Sequence, residues 1–200
     1  MPRSKIEFFD SLAPRWDADE VRSTPPRVRA ILSRITIRSG MNVLDLGTGT
    51  GVLLPYFSEM VGPGGHITAV DFSEGMLAVA KDKFGSLQNV EFLRLDFEKD
   101  HIPGHYDLVM LYCVYPHLHS PAHTLSRLFK MNVKPGGVIV IAFPSSEKFI
   151  NSIHRDRKAA SDNLPSAPML AAMLHGWGFQ ANVVASSEDE YIIEVRLPEE

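Results

Sequence analysis

The sequence predicts an α/β chain built on a doubly wound, mostly parallel sheet of seven strands, with an antiparallel strand near the C-terminus and a helical lid at the N-terminus. Three observations carry this. Short, nearly all-apolar runs alternate with segments of helical period, as expected when both faces of a parallel sheet are covered. A glycine-rich turn, Gly47-Thr48-Gly49-Thr50-Gly51, follows the first of these runs directly. Two further strand-like runs then follow one another at the C-terminal end.

Taken in order, the first forty residues hold Phe8, Phe9, Leu12 and Trp16, then a helical stretch over about 24–37. Strands are expected at 41–46, 66–70, 90–95, 106–111 and 137–143. Ser73 can cap a helix reaching about Phe84, with Leu77, Ala78, Ala80 and Phe84 available for burial. Ser120 followed by Pro121 is a cap and first-turn signal, and Leu125, Leu128 and Phe129 share the face of the helix it opens. That helix is expected to stop near Lys134-Pro135-Gly136-Gly137. An interruption over 144–165 precedes a helix over 166–177, with Leu170, Met173, Leu174 and Trp177 on one side, and an antiparallel pair at 179–185 and 190–197. One domain spanning 1–200 accounts for all of this: a cap at 1–38, a core at 39–143, an insert at 144–165, and a helix with a strand pair at 166–200.

Composition excludes several classes. With 44% hydrophobic and 22% charged residues the chain is ordinary and globular. A net charge of −4 and no run of Lys or Arg argue against a nucleic-acid partner. Cys113 stands alone, so no intrachain disulfide can form and a reducing compartment is expected. The N-terminal stretch lacks the apolar centre of a signal peptide, and no run approaches the roughly 20 apolar residues of a membrane span. A cytoplasmic location follows as the expectation. Oligomeric state is not encoded in any pattern.

The glycine loop sits where ligands bind in open α/β sheets, beyond the carboxyl end of the first strand. Its spacing is G-x-G-x-G, with Val52 where a dinucleotide fingerprint has its third glycine. Asp45, two residues upstream, suits a cofactor bearing ammonium and sulfonium charges better than a pyrophosphate. Both features count against a nicotinamide-dependent oxidoreductase. A tight structural turn is the lesser alternative for the glycines taken alone.

Val43-Leu44-Asp45-Leu46-Gly47-Thr48-Gly49-Thr50-Gly51 resembles the glycine-rich motif of class I S-adenosylmethionine-dependent methyltransferases. Val70-Asp71-Phe72-Ser73, Leu95-Asp96-Phe97, Tyr106-Asp107-Leu108-Val109 and Val133-Lys134-Pro135-Gly136-Gly137 match that family's later motifs in order. The resemblance implies a Rossmann-like sheet and S-adenosylmethionine as cofactor, with S-adenosylhomocysteine as product. It further implies cofactor contacts from Asp45, Gly47, Thr48, Gly49 and Gly51. Asp71 would accept from the ribose hydroxyls and Asp96 from the adenine amino group, Phe97 would contribute backbone, and Phe72 and Met76 would pack on the adenine. Phe8-Phe9-Asp10-Ser11-Leu12-Ala13-Pro14-Arg15-Trp16-Asp17 resembles the N-terminal segment of methyltransferases related to the ubiquinone and menaquinone C-methylating enzymes, where it closes over cofactor and substrate.

The methyl acceptor is less legible, because in-line methyl displacement needs alignment and exclusion of water rather than a fixed set of catalytic groups. The fourth strand ends in Tyr112-Cys113-Val114-Tyr115-Pro116-His117-Leu118-His119-Ser120, without the Asn-Pro-Pro-Tyr pattern of enzymes that grip an exocyclic or amide nitrogen. A small-molecule acceptor is expected, with Trp16, Tyr115, His117, His119 and His154 as candidates to meet it and His117 as a candidate general base. His119 and His123 stand four apart near a helix start, but no Cys or carboxylate ligand accompanies them, so no metal is expected. A protein that binds S-adenosylmethionine without turnover is the alternative reading.

Overall fold

In the computed structural model the described residues are 5–19, 23–156 and 162–198. The chain opens with α1 (Lys5–Leu12), a 3-10 turn at Ala13–Arg15, α2 (Trp16–Asp19) and α3 (Pro25–Ser33). Then come β1 (Asn42–Leu46), α4 (Leu54–Val61), β2 (His66–Asp71), α5 (Glu74–Phe84), β3 (Val90–Arg94) and β4 (Tyr106–Tyr112). A 3-10 turn at Tyr115–His117 leads to α6 (Pro121–Met131), β5 (Val133–Phe143), α7 (Glu147–Asp156), α8 (Ala167–Gly176), β6 (Gln180–Ser186) and β7 (Tyr191–Arg196).

All seven strands join one sheet in the order β3-β2-β1-β4-β5-β7-β6. β1 to β5 are parallel, and β7 lies antiparallel between β5 and β6. The expected sheet is therefore present, and strand order reverses between β1 and β4, the switch point at which open α/β sheets bind ligands.

Two apolar layers cover the sheet. Leu44, Leu46, Val109, Ile139 and Ile193 pack under α6 and α8, while Val43, Ile67, Met110 and Val140 pack against α3 and α4. Neighbouring residues on each strand point to opposite faces, so a strand covered on both faces must be apolar throughout. β4 shows this: Leu108, Val109, Met110 and Leu111 are fully buried.

Several local expectations shift. Ser73 caps α5 by accepting from the Met76 amide at 3.1 Å, but Met76 is buried beside Leu77 and Ala80 while Ala78 is exposed. Trp177 falls just beyond α8 and is 36% exposed. α6 ends at Met131, and Lys134-Pro135-Gly136-Gly137 belongs to β5 as an irregular stretch between the pairs Tyr106–Val133 and Leu108–Val138. The interruption after β5 contains α7, whose boundaries its charged residues concealed. No helix among the described residues is long and apolar enough to cross a membrane.

Candidate cofactor and acceptor site

The turn after β1 is held at the sheet edge by the amides of Gly47 and Thr48, which both donate to the Val70 carbonyl, at 2.8 and 2.9 Å. Its three glycines all adopt positive φ: +69° at Gly47, +56° at Gly49 and +83° at Gly51. They serve different ends. A Cβ on Gly47 would lie 2.5 Å from Val114 Cγ2, and one on Gly51 would lie 2.9 Å from both Leu54 Cδ1 and Phe84 Cδ2. A Cβ on Gly49 would meet nothing within 4 Å. Gly47 and Gly51 are thus required by packing, and Gly49 faces open space.

Two buried carboxylates stand behind the turn. Asp45, 2% exposed, accepts from Thr48 Oγ1 at 2.7 Å. Burial pushes its pKa up, the Thr48 hydroxyl pulls it back in part, and the nearby Asp71 charge raises it again, to about 7. Asp71 ends β2; its Oδ2 accepts from the Gly49 amide and its Oδ1 from the Ser73 amide, each at 2.9 Å. Burial raises its pKa, opposed by the amides of Ser73, Gly49 and Phe72. Beyond β3, Asp96 Oδ1 accepts from the Glu98 amide at 3.2 Å and its Oδ2 pairs with Lys99.

One cavity of about 580 Å³ opens at the switch point. Gly47, Thr48, Gly49, Asp71, Phe72, Met76, Asp96 and Phe97 line it, as do Trp16, His117 and His119. Eight of the ten residues expected to meet the cofactor are therefore gathered on one wall system, with Asp45 and Gly51 set behind it. Tyr115 is 4% exposed and packs in the core, where burial pushes its pKa up to about 12. His154 is away from the lining but leans on His117, ring centroids 5.2 Å apart. Cys113 also lines the cavity and is the one described non-glycine residue with positive φ, +59°, so backbone strain sits at the end of β4.

The N-terminal helices are tied to this wall by carboxylates that spacing alone did not single out. Asp10 on α1 accepts from Ser73 Oγ at 2.5 Å and from the Gly75 amide at 3.0 Å; the Ser73 hydroxyl chiefly, then the Gly75 amide, lowers its pKa. Asp17 on α2 accepts from Lys83 Nζ at 2.7 Å and from Thr50 Oγ1. Glu98 replaces the expected Ser120 cap of α6, accepting from the His119 and Ser120 amides and from Thr124 Oγ1. Burial raises the Glu98 pKa, but these bonds together with the His119 side chain hold it below its ordinary value. Asp10 and Asp17 were visible as charges among the aromatic residues of the first segment, yet only the fold reveals their partners.

His119 pairs with Glu98 and His123 is exposed, and among the described residues no group of three or more His, Cys, Asp or Glu could hold a metal ion.

The turn, the switch point and the sheet order define a class I S-adenosylmethionine-dependent methyltransferase. The sequence profile of the methyltransferase domain family matches residues 37–192, and the chain belongs to that family. It is similar to the ubiquinone/menaquinone biosynthesis C-methyltransferase UbiE of Pseudomonas entomophila, at 32% identity over 143 residues, covering 68% of this chain and 56% of that enzyme. The matched stretch is thus little more than half the length of that relative. Among solved structures, an S-adenosylmethionine-dependent methyltransferase from Aquifex aeolicus is 25% identical with a TM-score of 0.72, covering 96% of this chain and 98% of that one. One from Geobacter sulfurreducens, in complex with S-adenosylhomocysteine, is 25% identical with a TM-score of 0.61, covering 81% and 66%.

Proposed function

We propose that the chain binds S-adenosylmethionine in the switch-point cavity and transfers its methyl group to a small-molecule acceptor held under the N-terminal helices. The observation that carries this reading is the open cradle at Gly49 directly beside the Asp71 carboxylate. A carboxylate offers about four acceptor sites; the Gly49 and Ser73 amides take one on each oxygen and the Phe72 amide a further one, leaving acceptor capacity for a ribose hydroxyl. When bound, the cofactor supplies an electrophilic methyl group on a cationic sulfur. Gly49 lets backbone approach it closely, Asp71 and Asp96 orient ribose and adenine, and Phe72 and Met76 pack on the base. Asp45, beneath the turn, contributes negative charge toward the cationic end. Phe9 and Trp16 face the acceptor and exclude water, which favours the displacement.

Thermal unfolding with S-adenosylhomocysteine tests the binding half. At 100 times its Kd the ligand adds about 2.7 kcal/mol to stability, whereas a shift with NAD and none with either sulfur nucleoside would sink the proposal. Asp71→Ala is expected to weaken S-adenosylhomocysteine by about 1.5–3 kcal/mol through lost charge-assisted hydrogen bonds, as read by calorimetry. Methyl transfer from labelled S-adenosylmethionine into a small-molecule extract, followed by mass spectrometry, tests the second half.

A further inference from the structure

A second cavity, of about 470 Å³, lies between the stretch that follows β3 and the exposed side of α6. Its charged and titratable lining is of one kind: Lys99 and His101 from the stretch, with His123, Arg127 and Lys130 from α6. No described Asp or Glu lines it, although the chain as a whole carries a net charge of −4. Helix geometry produces the grouping. His123, Arg127 and Lys130 stand at i, i+4 and i+7 on one side of α6, while Thr124, Leu125, Leu128 and Phe129 are buried. α6 contains no acidic residue, so none of the three finds a carboxylate along its own helix.

The carboxylates of the same stretch are engaged elsewhere. Asp96 pairs with Lys99, Asp100 Oδ2 accepts from the Asp96 amide at 2.8 Å, and Glu98 caps α6. Arg127 donates through Nη1 to the Asp100 carbonyl at 2.8 Å and through Nη2 to the Phe97 carbonyl, while its Nε is buried without an acceptor. Carbonyl dipoles hold the guanidinium in place but leave its full charge without an anion. The side chains of His101, His123 and Lys130 make no hydrogen bond or ion pair among the described residues. The negative end of the α6 dipole acts within the last turn, so it accounts for Lys130 and not for Arg127, Lys99 or the histidines.

We propose that this groove binds a soluble phosphate ester or diphosphate, at a site separate from the cofactor cavity and sharing with it only the lining residue Lys99. A phosphate carries about −1.5 to −2 charges near pH 7 and three strong acceptor oxygens, so it can meet donors on both walls at once. A carboxylate, with one charge, cannot match Lys99, Arg127 and Lys130 together. Ser126 adds a hydroxyl donor to the lining, and Met131, 44% exposed, offers apolar surface to the organic part of an ester. The charges line the walls of a cavity rather than a flat face, which suits a small anion better than a bilayer. The site stands independently of the methyl-transfer reading above.

The probe is inorganic pyrophosphate, titrated at constant ionic strength into the full chain and followed through backbone amide shifts. Saturable shifts are expected over residues 99–102 and 121–132, and not over the glycine turn at 47–51, which could also attract an anion. Lys130→Gln combined with His123→Gln is expected to weaken pyrophosphate about tenfold or more, while Lys148→Gln, exposed on α7, leaves it unchanged. Both altered side chains of the double variant are exposed, so it should keep the wild-type unfolding midpoint and affinity for S-adenosylhomocysteine. Loss of the groove is thereby separated from loss of the fold or of the cofactor site. Shifts confined to 47–51, shifts reproduced by chloride at equal ionic strength, or undiminished affinity in the double variant would overturn the proposal. Sedimentation with phosphatidylglycerol vesicles, without saturable pyrophosphate binding, would assign the groove to a membrane surface and overturn it as well.

Discussion

Gly49 and Gly51 carry the same side chain two residues apart, yet alanine at each should fail differently. Gly51→Ala forces a Cβ to 2.9 Å from Leu54 and Phe84 at a φ of +83°, so a destabilisation of about 1–3 kcal/mol is expected in urea unfolding. Gly49→Ala meets no neighbour, so its cost in stability is limited to backbone strain while S-adenosylhomocysteine affinity falls more than tenfold. Asp45 adds a pH dependence. Its pKa rises from an ordinary 3.8 to about 7 on folding, so the native state holds a proton that the unfolded chain has lost between those values. Stability from this group is complete below 3.8 and declines as pH rises through about 7. A cationic ligand favours the ionised form, so affinity should climb with pH up to about 7 and then level off. Asp45→Asn is expected to flatten both profiles, as measured by unfolding and by calorimetry across pH.

At the scale of elements, α1 has no fully buried residue, so its place depends on a few polar ties. Asp10 is the chief one, bonding both the hydroxyl and an amide at the start of α5, where a negative charge also suits the helix dipole. Asp10→Ala should release α1 at a cost of about 0.5–2 kcal/mol, comparable with loss of a helix cap. Hydrogen exchange would then rise over residues 5–19 while the sheet stays protected, and S-adenosylhomocysteine would dissociate faster. Unchanged exchange there would show that the aromatic contacts of Phe9 with Trp16 and Phe72 hold α1 without it.

For the molecule as a whole, the sheet was legible because its strands are buried on both faces, which writes burial directly into composition. β3, at one edge, was still readable although only partly buried. The cofactor wall was legible because glycines and strand-end carboxylates keep fixed distances along the chain. Asp10, Asp17 and Glu98 were not, since each meets partners tens of residues away and no local pattern records that pairing. Trp177 misled because helical period continues past the point where the helix stops. The placement of β7 between β5 and β6 also yields an expectation for the full sheet. A chain ending after Ser186 would leave β5 with a bare apolar edge and β6 without a partner, so it should aggregate and show no cooperative unfolding transition.

That same placement sets a timetable for synthesis. β6 emerges from the ribosome before β7, yet among the described residues β7 is the one strand it pairs with. Until Tyr191–Arg196 clears the exit tunnel, the half of the sheet beyond β5 cannot close, however well the preceding strands have paired. The apolar edge of β5 thus stays open in the nascent chain until β7 has been made, and a pause while β7 is translated would lengthen its exposure.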